Sequence, residues 1–123
     1  MARILLVEDD DLNRDMLSRR LERSGHQVLF AADGATALAA ALNDAPDLIL
    51  LDMGIPVVDG WEVARQLRAS AATRGLPLVA LTAHAMPGDR ERALAAGCDE
   101  YEVKPVEFDR LLAKITALVA RRA

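Results

Sequence analysis

Pro46-Asp47-Leu48-Ile49-Leu50-Leu51-Asp52 decides how the rest of the chain is read. Four large aliphatic residues follow Asp47, and the run stops on a second carboxylate, Asp52. A short apolar run bounded by turn signals predicts a strand buried on both faces, as in a parallel sheet. In open α/β sheets ligands bind in the crevice beyond the carboxyl ends of the strands. A central strand that finishes on an ionisable residue delivers it to that crevice, so Asp52 is the expected reactive centre.

Working outward, the same pattern recurs on both sides. Ile4-Leu5-Leu6-Val7 is a second apolar run, and it meets Glu8-Asp9-Asp10-Asp11. A helix is expected next, with Leu12, Met16 and Leu21 near one face and Gly25 as its stop. The acidic cluster can also cap this helix, because carboxylates are favoured at a helix N-terminus. Gln27 to Ala31 reads as a weaker strand, Asp33-Gly34 as a turn, and Ala35 to Leu42 as an Ala-rich helix. After the central strand come a loop from Met53 to Asp59 and a helix led by Gly60, carrying Trp61, Val63, Ala64 and Leu67. A polar connection from Ser70 to Gly75 precedes a strand from Leu76 to Thr82. A helix from Met86 to Ala96 stops at Gly97, a strand at Tyr101-Glu102-Val103 ends on Lys104-Pro105, and Phe108 to Ala120 is the last helix.

Five strands alternating with five helices predict an α/β fold, a doubly wound parallel sheet with helices on both faces. Right-handed crossovers narrow the topologies. The order 2-1-3-4-5, known from flavodoxin-like sheets, is expected. It sets the first and third strands side by side.

The length of 123 residues fits one domain, expected to occupy 1–123. Aromatics make up only 3% of the chain, so its core must be aliphatic. The net charge is -4, and Arg19-Arg20 and Arg121-Arg122 read as solvated faces, which disfavours nucleic-acid binding. Cys98 is the single cysteine, which excludes an internal disulfide and fits a reducing compartment. Arg3 and the four apolar residues after it run straight into Glu8, unlike a leader peptide. No apolar stretch approaches the ~20 residues of a membrane span. A cytoplasmic protein, with no membrane partner, is expected.

Four strand ends converge in this scheme: Glu8/Asp9, Asp52, Thr82 and Lys104. The three carboxylates would repel one another with nothing between them. Oxygen-rich sites of this kind suit Mg²⁺, commonly held by one or two carboxylates together with phosphate. Lys104 supplies a point charge suited to phosphate, and Thr82 a hydroxyl donor. A carboxylate nucleophile, a divalent metal and a cation make a site for phosphoryl transfer onto an aspartate.

Ile4 to Asp10, Asp47 to Met53, Pro56-x-x-Asp59-Gly60, Leu81-Thr82-Ala83 and Lys104-Pro105 together resemble the receiver domains of two-component response regulators, the family of the chemotaxis regulator. The resemblance covers the whole chain. Thr82-Ala83-His84-Ala85-Met86 with Ala96-Gly97-Cys98 is especially similar to stand-alone cell-cycle regulators of bacteria and to receivers of hybrid kinases. The resemblance implies that Asp52 is the phosphoacceptor and Asp9 a direct Mg²⁺ ligand. Glu8 would act mainly through metal-bound water, and the Gly54 carbonyl would complete the protein's coordination. It further implies that Thr82 and Lys104 bind phosphoryl oxygens, that Tyr101 is a switch residue coupled to Thr82, and that the Lys104-Pro105 bond is cis. Gly54 and His84 stand where the family positions or shields the water that hydrolyses the acyl phosphate. With no side chain at Gly54 and a ring at His84, slow self-dephosphorylation is expected.

The chain departs from the family pattern in places. Glu8 replaces a more frequent Asp, and Val106 a frequent Phe. Arg90 and Arg110 fall near positions where the transcription-factor branch carries an opposite-charge pair that joins two receivers, so a monomer or weak dimer is expected.

The expected function is a non-enzymatic signalling switch. It accepts phosphate from a histidine kinase or histidine phosphotransferase and alters binding of a downstream protein target through the face of the fourth helix, fifth strand and fifth helix. No room is left within the chain for an output domain, so a phosphorelay shuttle or phosphate sink is the alternative. A flavin-binding electron carrier on the same fold needs a Ser/Thr/Gly-rich loop where Glu8-Asp9-Asp10-Asp11 stands. An Asp-dependent phosphatase usually wants a second Asp at the place of Gly54.

Overall fold

The computed structural model describes residues 2–83 and 86–122. Five strands alternate with five helices: β1 Arg3–Val7, α1 Asp11–Arg23, β2 Gln27–Ala31, α2 Gly34–Asn43, β3 Leu48–Asp52, α3 Gly60–Ala69, β4 Leu78–Thr82, α4 Asp89–Ala95, β5 Glu100–Val103 and α5 Phe108–Arg122. All strand pairs are parallel, and the order is β2-β1-β3-β4-β5, as expected. Every residue of β3 and β4 is buried, which is why those segments are the most apolar runs of the sequence. The edge strands β2 and β5 carry polar and half-buried positions instead.

Strand alternation divides the core in two. Leu5, Val7, Ile49, Leu51, Leu78 and Ala80 face one side, where they pack against α2, α3 and α4. Ile4, Leu6, Leu48, Leu50, Val79 and Leu81 face the other, beneath Leu21 of α1 and Leu111, Ile115 and Leu118 of α5. Each fully buried Leu or Ile contributes about 1.5–3 kcal/mol by leaving water.

Three helices start on an aspartate cap, whose carboxylate accepts an N–H three residues ahead. These pairs are Asp10 with Asn13 at 2.9 Å, Asp33 with Thr36 at 2.7 Å and Asp59 with Glu62 at 2.9 Å. The capping expected of the first acidic cluster thus falls to Asp10, and the Asp33-Gly34 turn is the start of α2. Gly34 is required by close approach: a Cβ there would lie 1.8 Å from the Val58 carbonyl oxygen.

Three sequence expectations need correction. Leu12 and Met16 do not face the core but are 67% and 58% exposed, while α1 buries Ser18 and Leu21. Met16 and Leu21 are five residues apart, which rotates them by about 140° around the helix, so they cannot share a narrow face. Helix α4 starts at Asp89 rather than Met86, because Pro87 is followed by Gly88 with φ +87°. Strand β4 starts at Leu78 rather than Leu76: the Leu76 N–H closes a turn onto the Thr73 carbonyl, and Pro77 has no N–H to give.

Candidate functional site

The register of the central strands brings the acidic residues together. Val7 pairs with Leu51 across β1 and β3, so Glu8 and Asp52 come one step later on neighbouring strands. Each continues the same face as Leu6 and Leu50 below it, by the alternation of strand side chains. This is the switch point of the sheet, where β1 has β2 on one side and β3 on the other.

Glu8 and Asp52 are only 3% and 8% exposed, whereas Asp9 is exposed. One oxygen from each of the three carboxylates lies within 4.8 Å of the others. Lys104 reaches between two of them: its Nζ donates to Glu8 Oε1 at 2.5 Å and to Asp52 Oδ2 at 3.1 Å. The second Asp52 oxygen accepts the Gly54 N–H at 3.0 Å, and the second Glu8 oxygen the Asp10 N–H at 3.2 Å. Lys104 is brought in by the chain beyond β5, where its own N–H bonds the Thr82 carbonyl at 2.7 Å. The Lys104-Pro105 peptide is cis.

Two buried carboxylates share one ammonium. Burial pushes the Glu8 carboxyl above its ordinary value; the hydrogen bond from Lys104 opposes this, and neighbouring Asp52 reinforces it. Burial works against the charged form of Lys104, but Glu8 and Asp52 outweigh it and raise its pKa. The donor set suits Mg²⁺: converging carboxylate oxygens, one of them exposed to solvent, fit a cation that keeps several waters.

Thr82 ends β4 and is buried. Its register partner is Val103, and Ala80 pairs with Tyr101, so Thr82 and Tyr101 point to the same face of the sheet from adjacent strands. Tyr101 is half-buried against the core, and its phenol is raised by burial and then by the charges of Asp89 and Glu91. Gly54 stands beside the Asp52 carboxylate: a Cβ at this position would meet Asp52 Oδ1 at 3.7 Å, an ordinary contact. His84 lies outside the described residues.

Two features escaped sequence reasoning. Glu102, in β5, is buried, and its carboxylate takes hydrogen bonds from Arg110 Nε at 2.8 Å and Lys114 Nζ at 2.8 Å. Arg110 and Lys114 are four apart and so share one side of α5; their spacing was the available signal. The charge of Arg110 is therefore met inside the chain. The other feature is a groove of about 540 Å³ between α1 and the chain after β5, bordered by Met16, Leu17 and Val106 and opening beside Glu8 and Lys104. Exposed Met16 belongs to it.

A family model described as the response regulator receiver domain matches residues 4–116. The chain is 43% identical over 119 residues to the response regulator MprA of Mycobacterium leprae, covering 97% of this chain and 51% of MprA. It is 40% identical over 117 residues to the response regulator PleD of Caulobacter vibrioides, covering 95% of this chain and 26% of PleD. The chain thus spans about half the length of MprA and a quarter of PleD. Among solved structures, it resembles the receiver domain of the sensor histidine kinase PA1611 from Pseudomonas aeruginosa PAO1, which has a magnesium ion coordinated in its active site cleft. That likeness has 37% identity and a TM-score of 0.89, over 97% of this chain and 98% of the other. A receiver domain from Francisella superposes with a TM-score of 0.94 at 25% identity, over the full length of both.

Proposed function

The chain belongs to the response regulator receiver domain family, whose business is phosphorylation-based signalling, and from that premise we propose that Asp52 is its phosphoacceptor. The observation that carries this reading is the convergence of Asp52 with Glu8, Asp9 and Lys104 at the switch point. An Asp52 carboxylate oxygen attacks the phosphorus of a phosphohistidine in a histidine kinase or histidine phosphotransferase. The new O–P bond forms as the P–N bond breaks, and the electron pair returns to the donor's imidazole. Lys104 meets the negative charge of the incoming phosphoryl group, and the Thr82 hydroxyl donates to one of its oxygens. Glu8, Asp9, Asp52 and the Gly54 carbonyl would hold Mg²⁺, which, when bound, offsets the carboxylate charge and that of the transferring group. In this role the chain is a substrate and switch, not an enzyme that turns over an external substrate.

The groove beside Lys104 supports a protein donor, because exposed Met16 borders it together with Glu8 and Lys104 of the acidic site. Output runs through α4, β5 and α5: Thr82 moves toward the phosphoryl group and Tyr101, on the same face, follows into the vacated space. Phosphate must favour one of the two states to shift their populations. With Arg110 paired to Glu102 inside the chain, a monomer or weak dimer is favoured.

A relay shuttle or phosphate sink would share this chemistry and differ only in lacking an output. Transfer from phosphorylated kinases and phosphotransferases to wild type and Asp52→Asn is the test. The proposal expects transfer to wild type in Mg²⁺, none in excess chelator and none to the variant. Equal labelling of the variant would overturn it.

A further inference from the structure

The end of the sheet opposite Asp52 gathers positive charge that the phosphoryl chemistry does not use. A cleft of about 390 Å³ opens there, bordered by Arg68 of α3, Arg74 of the α3–β4 connection, and Arg121 and Arg122 of α5. Among the described residues, Asp99 is the only carboxylate on its lining.

Arg68 is the frame of the cleft. Its Nε donates to the Gly97 carbonyl at 2.8 Å, and one terminal nitrogen donates to the carbonyls of Arg74 at 2.9 Å and Leu76 at 2.5 Å. The other terminal nitrogen meets Asp99 at 2.9 Å, so the single acid is already neutralised. The same Asp99 oxygen accepts the Leu78 N–H at 2.8 Å and ties this rim to β4. Arg122 donates only to the main-chain carbonyls of Pro46 and Asp47, at 3.2 and 3.1 Å. Arg74 and Arg121 have no side-chain hydrogen bond or ion pair among the described residues.

Among the described residues, Arg74, Arg121 and Arg122 therefore border one cleft with no carboxylate left to pair them, on a chain whose net charge is -4. Two basic residues in a last helical turn are accounted for by the helix dipole. Arg74, from a separate connection, and the rim built by Arg68 are not. Like charges around one cleft repel, and an anion among them reverses the sign. Guanidinium forks match phosphate oxygens in pairs, and the volume falls in the range of small-molecule sites. Pro77 and Leu118 add an apolar wall.

We propose that this cleft is a second anion site, which takes a small molecule bearing a pyrophosphate group, held by Arg74, Arg121 and Arg122. It is independent of the acceptor chemistry at Asp52.

The test is titration calorimetry at about 150 mM salt, where exposed charges are screened within roughly 8 Å. Excess chelator keeps metal-bridged phosphate out of the acidic site. Inorganic pyrophosphate, a nucleoside triphosphate and sulfate are compared on wild type and on the Arg74→Gln/Arg121→Gln double variant. Pyrophosphate or the triphosphate should bind one to one and more tightly than sulfate, and the variant should lose roughly tenfold or more in affinity as paired charge-assisted contacts go. The arm that binds more tightly tells an inorganic ligand from a nucleotide. Asp52 phosphorylation by acetyl phosphate in Mg²⁺ should be the same in both proteins, which separates this site from the acceptor. No measurable binding, sulfate binding as tightly as pyrophosphate, or equal affinity in the variant would each overturn the proposal.

Discussion

Replacing Glu102 with Gln tests whether the packing of α5 against β5 is held by charge. The Glu102 side chain is 5% exposed, and its two cationic partners differ: Arg110 is 56% exposed and Lys114 24%. At an effective dielectric of about 20, a contact of this length is worth roughly 6 kcal/mol before desolvation, an upper bound. Desolvation removes most of that gain, and water screens the Arg110 pair down to about 0.2–1 kcal/mol. Lys114 keeps the Tyr101 carbonyl at 3.0 Å and Glu100 at 3.6 Å after the change, so its loss is partial. The expected net cost at neutral pH is about 1.5–3 kcal/mol, or a Tm lower by about 5–15 °C for a domain of this size. Burial alone would lift the Glu102 carboxyl, but Lys114 and Arg110 outweigh it and hold it below its ordinary 4.5. A depressed carboxyl contributes stability above its unfolded value and loses it as pH falls through the folded one. The gap between wild type and variant should thus be full near pH 7 and close progressively below the ordinary value of 4.5. Urea unfolding of both proteins from neutral to acid pH measures it, and Lys114→Ala with the double variant apportions the pair. A gap under about 0.5 kcal/mol, or one that stays constant into acid, would refute the reasoning.

Three further outcomes follow from single positions. Val57 is 80% exposed with φ +72°, a conformation costly for a β-branched side chain, so Val57→Asn should raise unfolding stability by about 0.5–1 kcal/mol in urea melts. A Cβ at Gly54 makes only an ordinary contact with Asp52, so Gly54→Asn brings an amide toward that carboxylate and should shorten the lifetime of the phosphorylated form in Mg²⁺; unchanged or slower decay counts against water positioning as the limit. Met16→Glu places a like charge beside the acidic site, so transfer from a phosphorylated protein donor should fall several-fold while acetyl phosphate labelling holds; parallel loss of both would remove the groove from the account.

The sheet was legible because β1, β3 and β4 are apolar on both faces, leaving their periodicity little competition. Their carboxyl ends were legible for the same reason, and so were Glu8 and Asp52 as neighbours. The phase of α1 was not: Leu12 and Met16 suit a core as well as a surface groove, and only the packing of α1 distinguishes them. The start of α4 turned on Gly88, whose left-handed backbone depends on its context. The Glu102 cluster left only the four-residue spacing of Arg110 and Lys114 as a signal, and nothing in that spacing names the buried carboxylate. The arginine cleft was out of reach for another reason: Arg74 and Arg121 border it together only once the fold has brought the α3–β4 connection and the end of α5 to one end of the sheet.

The most direct measurement for the central claim is the location of the phosphate. Wild type treated with acetyl phosphate and Mg²⁺, reduced at the acyl phosphate with borohydride and mapped by peptide mass spectrometry, should carry one modification, at Asp52. The Asp52→Asn protein treated in the same way should carry none. Modification at Asp9 or at any other residue in wild type, or labelling that survives in the variant, would contradict the account.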